Sequence, residues 1–290
     1  MKLAFSSNAF LNYPFSEAAR RIAEAGYLGL ELLADVPHAW PVRLLDDQKQ
    51  AIRLALAQYG LGLANINAFM MNAIADRRQP YWHPSWIEPD EHYRRVRVDH
   101  TIRALHLAKE LGSPSISTEP GGPLPHGWSW QQGLSRFVAE LAPVAAIADK
   151  VQVYLLIEPE PGLLIERSDQ FEELMDRLRN FQFVGLNFDI GHFYCVGEDP
   201  AAVARTLAPY IRHVHLEDIA TTRLHHHLIP GEGGIDFARV LASLQQNGYH
   251  GWVTVELYPY VEDPDTAARR ALAYLSRLAQ DHSLPLEMRP

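Results

Sequence analysis

Short apolar runs rich in branched and aromatic residues recur along the chain, each followed by a stretch whose apolar positions repeat with helical spacing. That alternation is the pattern of parallel βα units. Eight strands are expected, at Leu3 to Ser7, Gly29 to Leu33, Gly62 to Asn67, Ser115 to Thr118, Val153 to Glu158, Val184 to Asp189, His213 to Glu217 and Trp252 to Leu257. The amphipathic stretches between and after them run from Phe15 to Ala25, Asp46 to Tyr59, Glu91 to Leu111, Trp130 to Asp149, Ser168 to Leu178, Pro200 to Ala208, Phe237 to Gln246 and Pro264 to Gln280. Asp199 and Asp236 stand where a side chain can accept from the free first-turn amides of a helix. Gly26, Gly60, Gly112 and Gly248 stand where helices end just before the next strand.

A chain of 290 residues suits one α/β barrel, which needs about 250 before insertions. No linker tract, charge block or composition break divides it, so a single (β/α)8 TIM barrel domain is expected over residues 1–290. Two loops exceed the usual few residues, Phe69 to Asp90 after the third strand and Glu119 to Ser129 after the fourth. Both carry aromatic, His and Pro residues, including Trp82, His83, Trp86, His126 and Trp128. Loops of that length are commonly lids or binding loops, and rings that merely anchor them to the rim read the same in sequence.

With 47% hydrophobic and 21% charged residues the chain is neither disordered nor fibrous. A net charge of -9 argues against a nucleic-acid partner, because that affinity rests on clustered Lys and Arg. No run approaches the roughly 20 apolar residues of a membrane span, and the opening MKLAFSSNAF is too short an apolar run for a secretory signal. The lone Cys195 has no partner for an internal disulfide. A soluble, cytoplasmic protein is expected.

In this architecture the strands deliver their carboxyl ends to one face, so a polar residue closing an apolar strand is a candidate for chemistry. Four qualify: Glu158 ending YLLIE, Asp189 ending GLNFD, His215 in IRHVHLED and Glu256 in WVTVEL. Their separations of 31, 26 and 41 residues each approximate one βα unit of about 36, which puts them on consecutive strands five to eight. Period-two alternation places Leu156, Asn187, His213 and Thr254 on the same inner faces. The last three either orient the four candidates or form a polar layer in the barrel filling. Three carboxylates in one pocket repel each other unless a dication joins them. Oxygen donors with one imidazole suit Mn2+, Mg2+ or Co2+, and Zn2+ is also compatible.

At LLIEPEPG, NFDIGH, HVHLED, HHHLIPGEGGIDF and VTVELY the chain resembles the xylose isomerase-like superfamily of TIM barrels. The likeness is to its sugar isomerase and epimerase branch, which includes ketose 3-epimerases, hydroxypyruvate isomerase and inosose dehydratase, and it spans nearly the whole chain. It implies one divalent metal on Glu158, Asp189, His215 and Glu256, with Glu158 and Glu256 also the catalytic acid/base pair. His192 and His227 would contact substrate oxygens. Ketose 3-epimerases commonly carry a Glu and an Arg where this chain has Leu164 and Thr221; Arg223 stands nearby. Arg223, Asn67 and Trp128 complete the substrate-binding candidates, and Phe10, Phe69, Trp82 and Trp128 are candidates for an apolar pocket wall.

The implied substrate is a small polyhydroxy carbonyl compound, epimerised or isomerised through an enediolate; homo-oligomer formation is left open. A dehydratase acting on an inosose or dehydroshikimate-like ring uses the same enediolate and is the alternative. Apurinic-site endonucleases of the superfamily bind a third metal at positions approximated by His192, His225 and His227. Those enzymes need a His where this chain has Asn67, however, and its charge does not suit DNA. A non-catalytic accessory barrel would not need the carboxylate pair. The PGEGG run lacks the lysine of a phosphate-binding loop and reads as a turn into the helix capped by Asp236. In the HHH run, a single functional residue, His227, is more economical than a second metal site.

Overall fold

The computed structural model describes residues 1–74 and 82–289. Eight parallel strands, β1 (Lys2–Ser6), β2 (Gly29–Leu33), β3 (Gly62–Asn67), β4 (Ser115–Thr118), β5 (Tyr154–Ile157), β6 (Val184–Asp189), β7 (Ile211–Leu216) and β8 (Trp252–Val255), close into a barrel in sequence order. Closure is direct: β1 pairs with β8 as well as with β2. The strands are buried on nearly every position, which is why they appear in sequence as short apolar runs rather than as half-polar alternations.

The helices around them are α1 (Phe15–Ala25), α2 (Asp46–Tyr59), α3 (Glu91–Leu111), α4 (Trp130–Val151), α5 (Ser168–Leu178), α6 (Ile190–Cys195), α7 (Pro200–Thr206), α8 (Phe237–Gln246) and α9 (Pro264–His282). Asp199 and Asp236 cap α7 and α8 as expected, accepting from the Ala201 and Arg239 amides. Of the turns, Gly26 shows the glycine requirement best. Its φ of 107° ends α1 in the left-handed region, and its amide donates back to the Ala23 carbonyl. The short α6 was not foreseen; it starts directly at the end of β6, where the Asp189 side chain caps it through the His192 amide.

At the amino-terminal end of the barrel the Trp252 ring lies against Gly29 and Gly62. A β-carbon on either glycine would come within 2.6 Å of a ring carbon. The opposite end is polar. The long loop after β3 was expected to be a lid or an anchor; its residues 75–81 lie outside the described residues. Trp82 beyond them donates from its indole nitrogen to Glu160 Oε1 at 3.0 Å, and Trp86 is buried with its indole nitrogen on Thr118 Oγ1. Among the described residues no helix is long and apolar enough to cross a membrane.

Candidate metal centre

Glu158 and Glu256 lie one residue beyond the ends of β5 and β8, Asp189 closes β6, and His215 is the next-to-last residue of β7. All four are buried, and one ligand atom from each lies within 4.8 Å of every other. His215 Nδ1 is the hub, 3.2 Å from Glu158 Oε1, 3.5 Å from Glu256 Oε2 and 3.9 Å from Asp189 Oδ2.

Neutral amides brace the carboxylates from behind. Asn187 Nδ2 donates to Glu158 Oε2 at 2.6 Å, while Asn8 Nδ2 and Asn67 Nδ2 donate to Glu256 Oε1 at 2.8 and 3.1 Å. Glu256 Oε1 is thereby occupied by two amides, which leaves Oε2 to face the other ligands. Asn67, expected among the substrate groups, thus holds a carboxylate.

Behind His215 stands Glu31, which the sequence reading missed. Its Oε2 accepts from His215 Nε2 at 2.7 Å and from Asn65 Nδ2 at 2.9 Å, and it lies 3.5 Å from His213 Nε2. The clue was available: GLELL carries one acid in an otherwise apolar strand. Its position in mid-strand rather than at the strand end hid the role. A carboxylate behind a ligating imidazole fixes the ring and raises its basicity. His213 therefore turns to Glu31. Thr254 Oγ1 is buried without a hydrogen-bond partner.

The electrostatics favour a cation. Burial opposes charge on His215, but Glu31, Glu158 and Glu256 overcome it and hold the imidazole pKa well above its ordinary value. Burial also raises the Glu158 carboxyl, countered by His215 and reinforced by Glu256 and Asp189. Asp189 Oδ2 is buried without a hydrogen-bond partner. Three carboxylates and an imidazole with a converging unsatisfied oxygen form a donor set that fits a divalent metal.

Above these residues opens a small pocket lined by Glu158, Glu256, Asn67, Phe69, Met71 and Tyr258, together with Glu160, His192, His225 and His227. No lysine or arginine lines it among the described residues. His192 and His227 therefore reach the pocket as expected. Two other candidates do not. Arg223 is exposed, stacks over Tyr194 at 4.8 Å and lines a separate groove beside α7 and α8. Trp128 lies on an outer groove with Gln131 and Arg136 of α4. Phe10 is fully buried against Phe5 and Tyr13 rather than forming a pocket wall.

Glu160, two residues beyond Glu158 in EPEPG, was also missed. Its carboxyl is buried and pushed up to about 8 by that burial, partly offset by His192 and the Trp82 indole. The glycine-rich run after β7 is a turn, as expected. Asp218 gathers its amides, accepting from Gly231 and Gly233 at Oδ2 and from Ile219 and Ile235 at Oδ1.

The fold and this centre define an α/β barrel with a carboxylate-histidine site at the carboxyl ends of its strands. Residues 19–278 match the model of the xylose isomerase-like TIM barrel family, and the chain belongs to that family. It is 28% identical to fructoselysine 3-epimerase of Escherichia coli over 94% of this chain and 96% of that one. It is 26% identical to inosose dehydratase of Geobacillus kaustophilus over 96% and 91% of the two chains. Among solved structures, the IolI protein with a zinc atom superposes with a TM-score of 0.79 at 19% identity, over 97% of this chain and 99% of that one.

Proposed function

We propose that the protein is a divalent-metal-dependent epimerase or isomerase of a small ketose or related keto-polyol. The observation that carries this is the pair Glu158 and Glu256, two buried carboxylates opening on one small pocket, each with one oxygen held by side-chain amide donors and the other turned toward His215. That arrangement suits proton removal from a carbon beside a carbonyl and proton return at the same or the neighbouring carbon. A divalent cation held by Glu158, Asp189, His215 and Glu256 would supply Lewis-acid stabilisation of negative charge on adjacent substrate oxygens.

The residues divide the remaining work. Asn187 on Glu158, and Asn8 with Asn67 on Glu256, fix the direction in which each carboxylate presents its reactive oxygen. Glu31 keeps the His215 ring oriented. His192 and His227 offer imidazole nitrogens to polar groups in the pocket, while Phe69, Met71 and Tyr258 exclude water from its wall. The 3-epimerase and dehydratase relatives support carbon acid chemistry of this kind. The dehydratase relative also keeps a second reading in view, in which the same proton abstraction is followed by loss of a β-hydroxyl.

The test is solvent deuterium exchange. Protein reconstituted with Mn2+, Co2+ or Zn2+ is incubated in D2O with a panel of ketoses and keto-inositols. Exchange at the carbon next to the carbonyl is expected with at least one of them and lost in Glu158→Gln and Glu256→Gln. A product lighter by one water would decide for the dehydratase. Absence of exchange across the panel, or full exchange in either variant, would reject the acid/base assignment.

A further inference from the structure

Among the described residues three carboxylates line the pocket, and only Glu158 and Glu256 belong to the metal centre. Glu160 stands apart from it. It sits between Pro159 and Pro161 in EPEPG, where its amide donates to the Ile165 carbonyl at 3.0 Å and its carbonyl accepts from the Leu163 amide at 3.1 Å. Two prolines of fixed φ and two backbone bonds hold the carboxyl in one place.

That carboxyl is incompletely served. The Trp82 indole donates to Oε1 at 3.0 Å, while Oε2 is buried without a hydrogen-bond partner. The residue is only 6% exposed, and a carboxylate so deeply buried calls for a full set of donors and a counter-charge. His192 and the indole only partly offset its burial, and no lysine or arginine lines the pocket among the described residues.

The missing partner is a positively charged donor. A substrate hydroxyl would satisfy Oε2 yet leave the buried charge uncompensated; an ammonium does both through a charge-assisted hydrogen bond. The rest of the pocket favours the same choice. Glu158, Asp189 and Glu256 with one dication leave a negative charge unbalanced, which attracts cations and repels anions. The aromatic side chains of Phe69 and Tyr258 share the lining, and aromatic faces attract ammonium groups.

We propose that Glu160 anchors an ammonium group of the substrate through Oε2, so that the pocket takes an amino-substituted ketose or keto-polyol. The inference rests on the ketose reading for the reacting part of the substrate and adds the group that lies beside it. Glu160 is then a specificity-determining residue, separate from the proton-transfer pair.

The experiment compares two polyols that differ by one group, 1-amino-1-deoxy-D-sorbitol and D-sorbitol. Neither has a carbonyl, so calorimetry on the metal-loaded full chain reads binding apart from turnover. The amine is expected to bind about 10–100-fold more tightly, the worth of one hydrogen bond to a charged group. Glu160→Gln should bring the two to parity, and Glu160→Asp, which keeps the charge, should retain a preference; circular dichroism checks that both variants fold. Equal affinities in the wild type, no binding of the amine, or a preference that persists in Glu160→Gln would overturn the site. Deuterium exchange into 1-amino-1-deoxy-D-fructose and D-fructose is measured in parallel. Exchange without amine preference leaves the ketose reading standing and rejects the ammonium site; a Glu160-dependent preference without exchange supports the site and counts against the reaction.

Discussion

Replacing Glu158 by Gln is expected to stabilise the metal-free protein while removing its activity. The ligand atoms of Glu158, Asp189 and Glu256 lie within 4.8 Å of one another. At an effective dielectric of about 20, each repulsion on Glu158 is about 3.5 kcal/mol or more, roughly 7 kcal/mol for the two. The His215 imidazolium, with Nδ1 at 3.2 Å, offsets about 5 kcal/mol of that. About 2 kcal/mol of net repulsion is left for the amide to relieve. The replacement fits: Asn187 Oδ1 has no hydrogen-bond partner, so its amide can turn over and accept from the new Gln amide.

For a chain of 290 residues the gain corresponds to a rise in Tm of about 3 °C, read by thermal unfolding at pH 7 in excess chelator. The sign follows from the carboxyl's raised pKa in the folded state. Its penalty is absent below the ordinary carboxylate range and grows as pH rises toward the folded value. The advantage of the variant should therefore vanish in acid. In saturating metal the order should reverse, because the variant lacks a charged ligand. A metal-free Glu158→Gln protein that is folded but less stable than wild type at pH 7 would refute the reasoning.

Three further outcomes are expected. Glu31→Gln should weaken divalent-metal binding about 10–100-fold by withdrawing the charge behind His215, and unchanged affinity by calorimetry would remove Glu31 from the site. His215, held protonated by its carboxylates, must give up its Nδ1 proton to a metal, so affinity should rise with pH and about one proton should be released per ion near neutrality. Calorimetry in buffers of different ionisation enthalpy measures that release, and zero release would contradict the raised pKa. Gly29→Ala, whose β-carbon would come 2.5 Å from the Trp252 ring, should cost about 1–3 kcal/mol by overpacking. A Tm equal to wild type would show that the ring yields freely.

The periodicities of the chain were enough to place eight strands, all but the short α6 of the helices around them, and the four strand-end candidates, because strand ends in a closed parallel barrel all point one way. Glu158, Asp189, His215 and Glu256 were legible as polar residues late in apolar strands, spaced by about one βα unit. Tertiary structure decided what lies behind and beside them. Glu31 reaches His215 from the far side of the barrel, Glu160 turns back into the pocket from the next loop, and His225 joins His192 across a gap of 33 residues. Arg223 and Trp128 lie away from the pocket for the converse reason: side-chain direction in a loop follows from packing rather than from any period that can be read along the chain.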